Sequence, residues 1–105
     1  MGEDSGAAGD GGVQRRAFVV RGRVQGVGFR WSASERAREL GLQGSIWNRN
    51  DGAVELHVRG RAEAVSALEA WLASGPRPAR VERVESVAPG APAEVSGFQI
   101  RHGRG

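Results

Sequence analysis

From Ala17 to Val24 the chain alternates. Phe18, Val20 and Val24 fall on one face, Arg21 and Arg23 on the other, which predicts a β-strand. After a glycine-rich stretch the period changes. Phe29, Ala33, Ala37 and Leu40 recur at helical spacing, with Glu35, Arg36, Arg38 and Glu39 on the wet side, and Gly41 stops the helix. Gln43 to Asn50 and Ala53 to Arg59 read as two strands around Asn50-Asp51-Gly52, a hairpin signal. In the second of these, Val54, Leu56 and Val58 alternate with Glu55, His57 and Arg59, so one face is expected to be buried and Glu55 and His57 solvated. Ala62 to Ala73 repeats the helical pattern through Val65, Leu68 and Leu72, with Trp71 beside the stripe, and Ser74-Gly75-Pro76 ends it. Val81, Val84 and Val87 are spaced by three, which fits a strand carrying a bulge. Ala88 to Pro92 is a loop, and Phe98 and Ile100 mark a short last strand.

The order strand, helix, strand, strand, helix, strand predicts an α+β fold: a ferredoxin-like α/β sandwich, βαββαβ, with two helices on one face of an antiparallel sheet and the other face left to water. Residues 1–14 are nearly devoid of apolar side chains and are expected to be a disordered tail, with one domain over residues 15–102 and a frayed end at 103–105.

Composition narrows the possibilities. At 105 residues the chain supports one modest core. It has no cysteine, hence no disulfide and no thiolate metal site. It has no membrane-length apolar run, and its N-terminus is acidic and glycine-rich, unlike a secretory signal; a cytoplasmic protein with no membrane partner is the expectation. All 15 basic residues are arginine. The net charge of +3 is uneven, because Glu3, Asp4 and Asp10 give residues 1–14 a charge of −3 and leave +6 on the body. A basic body suits an anionic substrate and equally suits nucleic acid. His57 and His102 have no partners at the spacing of a metal site or catalytic triad.

Residues 22–30, Gly-Arg-Val-Gln-Gly-Val-Gly-Phe-Arg, carry the chemistry. A strand, a glycine turn and a helix start bring successive main-chain N–H groups to one point, where the helix dipole adds partial positive charge. Gly26 and Gly28 permit positive φ, and Arg30 can place a planar, permanently charged group on the same anion. The Gly-Lys-Ser/Thr ending of a nucleotide-binding loop is missing, and no third glycine completes a dinucleotide fingerprint. A plain strand-to-helix turn with a solvated arginine satisfies the same letters.

Gly22 to Arg30 resembles the signature of the acylphosphatase family, Gly-x-Val-Gln-Gly-Val-x-Phe-Arg. Gly44-Ser45-Ile46-Trp47-Asn48-Arg49-Asn50-Asp51-Gly52-Ala53-Val54-Glu55 resembles its second segment, with Ile46 for the usual valine. Ala37-x-x-Leu40-Gly41-Leu42 and Gly97-Phe98-Gln99-Ile100-Arg101 are also similar, so the likeness runs from about Arg16 to Arg101. It implies metal-free, cofactor-free hydrolysis of the carboxyl–phosphate bond of a small acyl phosphate to carboxylate and inorganic phosphate, and the same ferredoxin-like fold. Arg30 would bind the phosphoryl group, with the N–H groups of Gln25, Gly26, Val27, Gly28, Phe29 and Arg30 completing the cradle. Asn48 would hold the attacking water. Gln25 is expected to shape the loop, and Asp51-Gly52 to set hairpin geometry. Ser45 and Trp47 depart from the family pattern, where tryptophan and a basic residue are common. If Ile46 points inward, both lie on the open face, where Trp47 is expected to alter packing or leave a sticky patch.

Other function classes share parts of this pattern. Single-strand RNA-binding domains share the topology, but they stack bases on aromatics of the open face, and here that face offers Val19, Arg21, Glu55, His57 and Trp47 without an aromatic pair; no nucleic-acid partner is expected. An acylphosphatase-like domain of a larger hydrogenase-maturation enzyme would be followed by zinc-binding cysteines. A phosphate-sensing fold would share the cradle and differ only in kinetics. A free-standing monomeric enzyme is the reading preferred.

Overall fold

The computed structural model describes residues 12–90 and 96–102. Residues 1–11 of the expected tail, and the expected frayed end at 103–105, lie outside the described residues. Five strands and two helices follow in the order β1 (Val13–Arg23), α1 (Phe29–Glu39), β2 (Gln43–Asn48), β3 (Val54–Arg61), α2 (Ala62–Leu72), β4 (Arg80–Val87) and β5 (Phe98–Ile100). They form one sheet, ordered β4-β1-β3-β2-β5. β1 pairs antiparallel with β3 and β4, and β2 antiparallel with β3. β5 runs parallel to β2, so the sheet is mixed where an antiparallel one was expected. The first four strands and both helices keep the expected ferredoxin-like arrangement.

Three local features explain the boundaries. β1 starts at Val13, and Val13 and Gln14 pair with Arg61 and Gly60. Those two residues, assigned to the tail from composition, are in the sheet because β3 also runs two residues past Arg59 and offers them partners. α1 ends where Gly41 takes φ 73° and the N–H of Leu42 donates back to the Ala37 carbonyl at 2.9 Å, a left-handed C-terminal cap. In β4, Arg83 faces Arg21 and Val81 faces Gly22, so Glu82 is the extra residue of the expected bulge.

The core lies between the sheet and both helices. Phe18 and Val20 of β1 meet Leu56, Val54 and Val58 of β3 and Ile46 of β2, under Ala33 and Ala37 of α1 and Val65, Leu68 and Leu72 of α2. Gly44, which opens the second motif, sits in β2 because a Cβ there would overlap the His57 carbonyl oxygen on β3.

The opposite face is not open, and here the expectation is corrected. Ala17, Val19 and Trp47 are buried on it. Trp47 is 7% exposed, with the Arg101 guanidinium 4.6 Å above its ring and the His57 ring 5.1 Å away, so no sticky patch results. Glu55 is not solvated either. It pairs with His57 at 2.7 Å and with Arg49 at 2.8 Å. β4 and β5 lie at opposite edges of the sheet, and the link between them is described at its start, residues 88–90. Its described start runs over this face, where Arg15 donates to the Gly90 carbonyl at 3.1 Å and Gly90 lies beside His57.

Candidate active site

β1, β2 and β5 run in the same direction, so their C-terminal ends share one end of the sheet. The glycine loop leaves β1 there, and α1 begins there. Gly26 and Gly28 take φ 74° and 77°, in the left-handed region. Nothing stands within 4 Å of where a Cβ would be at either, so backbone conformation rather than crowding calls for glycine. Gly28 is the N-cap of α1 and has no side chain with which to satisfy the first-turn N–H groups. Uncapped N–H groups at a helix start suit an anion.

The side chains divide the work. Val27 packs against the core edge, and Phe29 is buried, its ring 5.8 Å from that of Trp71. Both therefore offer only main chain to a ligand. The Gln25 amide nitrogen donates to the Arg49 carbonyl at 2.8 Å and to the Ala53 carbonyl at 2.9 Å. It ties the loop to both sides of the β2–β3 hairpin. Arg30 extends from the first turn of α1, and its Nη1 donates to the Arg101 carbonyl at 2.9 Å. Beneath it, the hydroxyl of buried Ser34 donates to the Arg30 carbonyl at 2.7 Å.

Asn48 ends β2 opposite Val54, which in turn pairs with Val20. Register parity puts Asn48 on the face of Ile46, Val54 and Val20, the helix side, where Arg30 also emerges. The two are linked by backbone: the N–H of Arg101 donates to the Ile46 carbonyl at 2.8 Å, two residues before Asn48. Asn48 Oδ1 is buried and has no hydrogen-bond partner among the described residues. A buried acceptor without a donor is costly unless something fills the role.

Asp51 shapes the hairpin and stands outside this group. Its carboxylate accepts from Arg49, from the Ala53 N–H and from Arg21, which holds its carboxyl far below the usual carboxylate range. Among the described residues no group of three or more histidine or acidic side chains is placed to hold a metal ion. A groove of about 310 Å³ lies elsewhere, lined by Trp31, Ser32, Glu35, Arg36, Glu39 and Trp71; it includes neither Arg30 nor Asn48. Sequence reasoning missed Arg101. Its only signal was its place at the end of the family-like segment Gly97–Arg101.

Residues 16–100 match the model of the acylphosphatase family. The chain belongs to the acylphosphatase family. An acylphosphatase of Thermococcus kodakarensis is 49% identical over 86 residues, covering 82% of this chain and 93% of that protein. The structure of an acylphosphatase from Coxiella burnetii superposes with a TM-score of 0.75 at 34% identity, over 88% of this chain and 96% of the other. The acylphosphatase of Bacillus subtilis gives 0.77 at 28% identity, over 86% and 99%. The acylphosphatase match begins at Arg16, within β1, and ends at Ile100, the last residue of β5, so it spans the whole described sheet after the start of its first strand.

Proposed function

We propose that this acylphosphatase divides its task between Arg30 with the loop amides, which grip the phosphoryl group, and Asn48, which holds the attacking water. An acyl phosphate is a mixed anhydride with carboxylate as a good leaving group, so no strong nucleophile has to be built. The task is to neutralise charge on the phosphoryl oxygens and hold water in line. Arg30 supplies charge-assisted hydrogen bonds in a fixed fork. The N–H groups from Gln25 to Arg30 supply the remainder without a metal. The water oxygen bonds to phosphorus as the bond from phosphorus to the acyl oxygen breaks. The carboxylate departs with that electron pair, and the water's proton passes to a phosphate oxygen. An amide is too weak a base to take it, so Asn48 orients rather than deprotonates.

The observation that carries this reading is the buried Asn48 Oδ1, without a hydrogen-bond partner among the described residues, at the sheet end where the loop and Arg30 also stand. A water O–H is a natural donor to it. Monomeric action in the cytoplasm belongs to the same proposal; gel filtration and fractionation of the producing cell test it. The test of the site is hydrolysis of an aromatic acyl phosphate with EDTA present. Wild type should turn over, Arg30→Ala should lose phosphate affinity and activity, and Asn48→Ala should lose turnover while still binding phosphate. Wild-type turnover in both variants would refute the assignment.

A further inference from the structure

We propose that Trp47 and Arg101 are positioning residues for Arg30, acting from the far side of the sheet; this rests on the assignment of Arg30 to the phosphoryl group. Arg101 follows the last strand, and three contacts fix it. Its N–H donates to the Ile46 carbonyl at 2.8 Å, its guanidinium lies 4.6 Å from the centre of the Trp47 ring, and its carbonyl accepts from Arg30 Nη1 at 2.9 Å. Two of these anchor it to β2. The third hands that anchorage to Arg30.

A guanidinium has five N–H donors in one plane. With Nη1 engaged on Arg101, one end of the guanidinium is held and its sweep is narrowed, while Nε and Nη2 remain for two oxygens of an anion. An arginine otherwise free to rotate loses that freedom on binding, and fixing it beforehand lowers the cost of binding. The aromatic half of the anchor is held in place: Trp47 is 7% exposed, its ring also lies 5.1 Å from the His57 ring, and the exposed Arg101 caps it from the solvent side. The carbonyl accepting from Arg30 thus belongs to a residue clamped on the opposite face.

The test uses the full chain, an aromatic acyl phosphate as substrate and inorganic phosphate as competitive inhibitor, with thermal midpoints for every variant. Arg101→Ala and Trp47→Leu should each raise KM and the phosphate Ki about threefold to tenfold, with a smaller change in kcat. Arg101→Lys keeps a cation over the ring and should recover most of the loss. The double variant should be no worse than the poorer single, since both act along one path. Arg101 is exposed, so its variants carry the test if Trp47→Leu fails to fold. If Arg30→Ala abolishes phosphate inhibition while Arg101→Ala leaves Ki at the wild-type value, the clamp is refuted and the role of Arg30 stands. A loss in Arg101→Ala that lysine does not rescue, and that follows the thermal midpoint, also refutes the clamp. A wild-type Ki in Arg30→Ala overturns the role of Arg30 instead.

Discussion

Gln25→Glu exchanges one nitrogen for oxygen and should do more damage than removing the side chain. The Gln25 amide nitrogen donates to the carbonyls of Arg49 and Ala53, at 2.8 and 2.9 Å. Both carbonyls keep another donor, since Arg49 accepts from the Gly52 N–H at 3.3 Å and Ala53 from the Arg49 N–H at 2.8 Å. Gln25→Ala therefore loses two bonds without orphaning an acceptor, and at about 0.5–1.5 kcal/mol per bond the cost should fall in the lower half of the sum, about 1–2 kcal/mol. For a domain of this size that lowers the midpoint by roughly 5–12 °C. Glutamate instead points a charge at two carbonyl oxygens. It loses the same bonds and adds repulsion, for a total of about 3–4 kcal/mol at pH 7 unless the carboxyl takes up a proton. Urea unfolding of the three proteins at pH 7 and at pH 5 measures this. The expected order is wild type, alanine, glutamate, with the gap between the variants narrowing at pH 5 as the new carboxyl protonates and regains a donor. Because Gln25 ties the loop to the hairpin that bears Asn48, both variants should also lower kcat/KM. Glutamate matching or exceeding alanine in stability at pH 7 would refute the tether.

Three further outcomes are expected. Asn48→Ala should lower kcat about 10²- to 10³-fold with little loss of stability, because the buried Oδ1 it removes has no hydrogen-bond partner among the described residues; parallel kinetics and urea melts check both. Gly44→Ala should destabilise by more than about 3 kcal/mol, since its Cβ would overlap backbone of β3 at a φ of 145°; soluble yield and thermal melts report it. Acid should weaken the fold through Asp51 and Glu85, whose carboxyls are held low, Asp51 mainly by Arg49 and Glu85 mainly by Arg83. The unfolded chain binds these protons first, so their contribution is complete above about pH 5 and fades as pH falls through and below the ordinary carboxylate range. Asp51→Asn should flatten that part of a stability–pH profile.

Much of the architecture is written in one-dimensional pattern. The alternation at Phe18, Val20 and Val54–Val58 and the helical spacing at Phe29–Leu40 and Val65–Leu72 identify buried faces, because strand and helix periods are local geometry. The three-residue spacing of the β4 valines even betrays a bulge. The letters of residues 22–30 and 44–55 place Arg30 and Asn48 in their motifs, and the hairpin places Asp51 among structural residues.

What those patterns leave open is everything that depends on a distant neighbour. Val13 and Gln14 look like tail by composition and become strand because β3 supplies partners for their backbone. Trp47 looks like an exposed aromatic, yet a residue 54 positions later and the histidine of the next strand cover it. Glu55 and His57 look solvated, yet Arg49 of the hairpin pairs with Glu55, Glu55 pairs with His57, and Gly90 lies beside the His57 ring. Sequence alone determined which segments become strands and helices, and which residue types supply an anion cradle. Tertiary structure decided which face is truly closed, that Gln25 serves as a tether, and that Arg101 meets Arg30. Periodicity records each residue's own preference for water, whereas a hydrogen bond between chain segments 71 residues apart exists only once the strands between them have chosen their register.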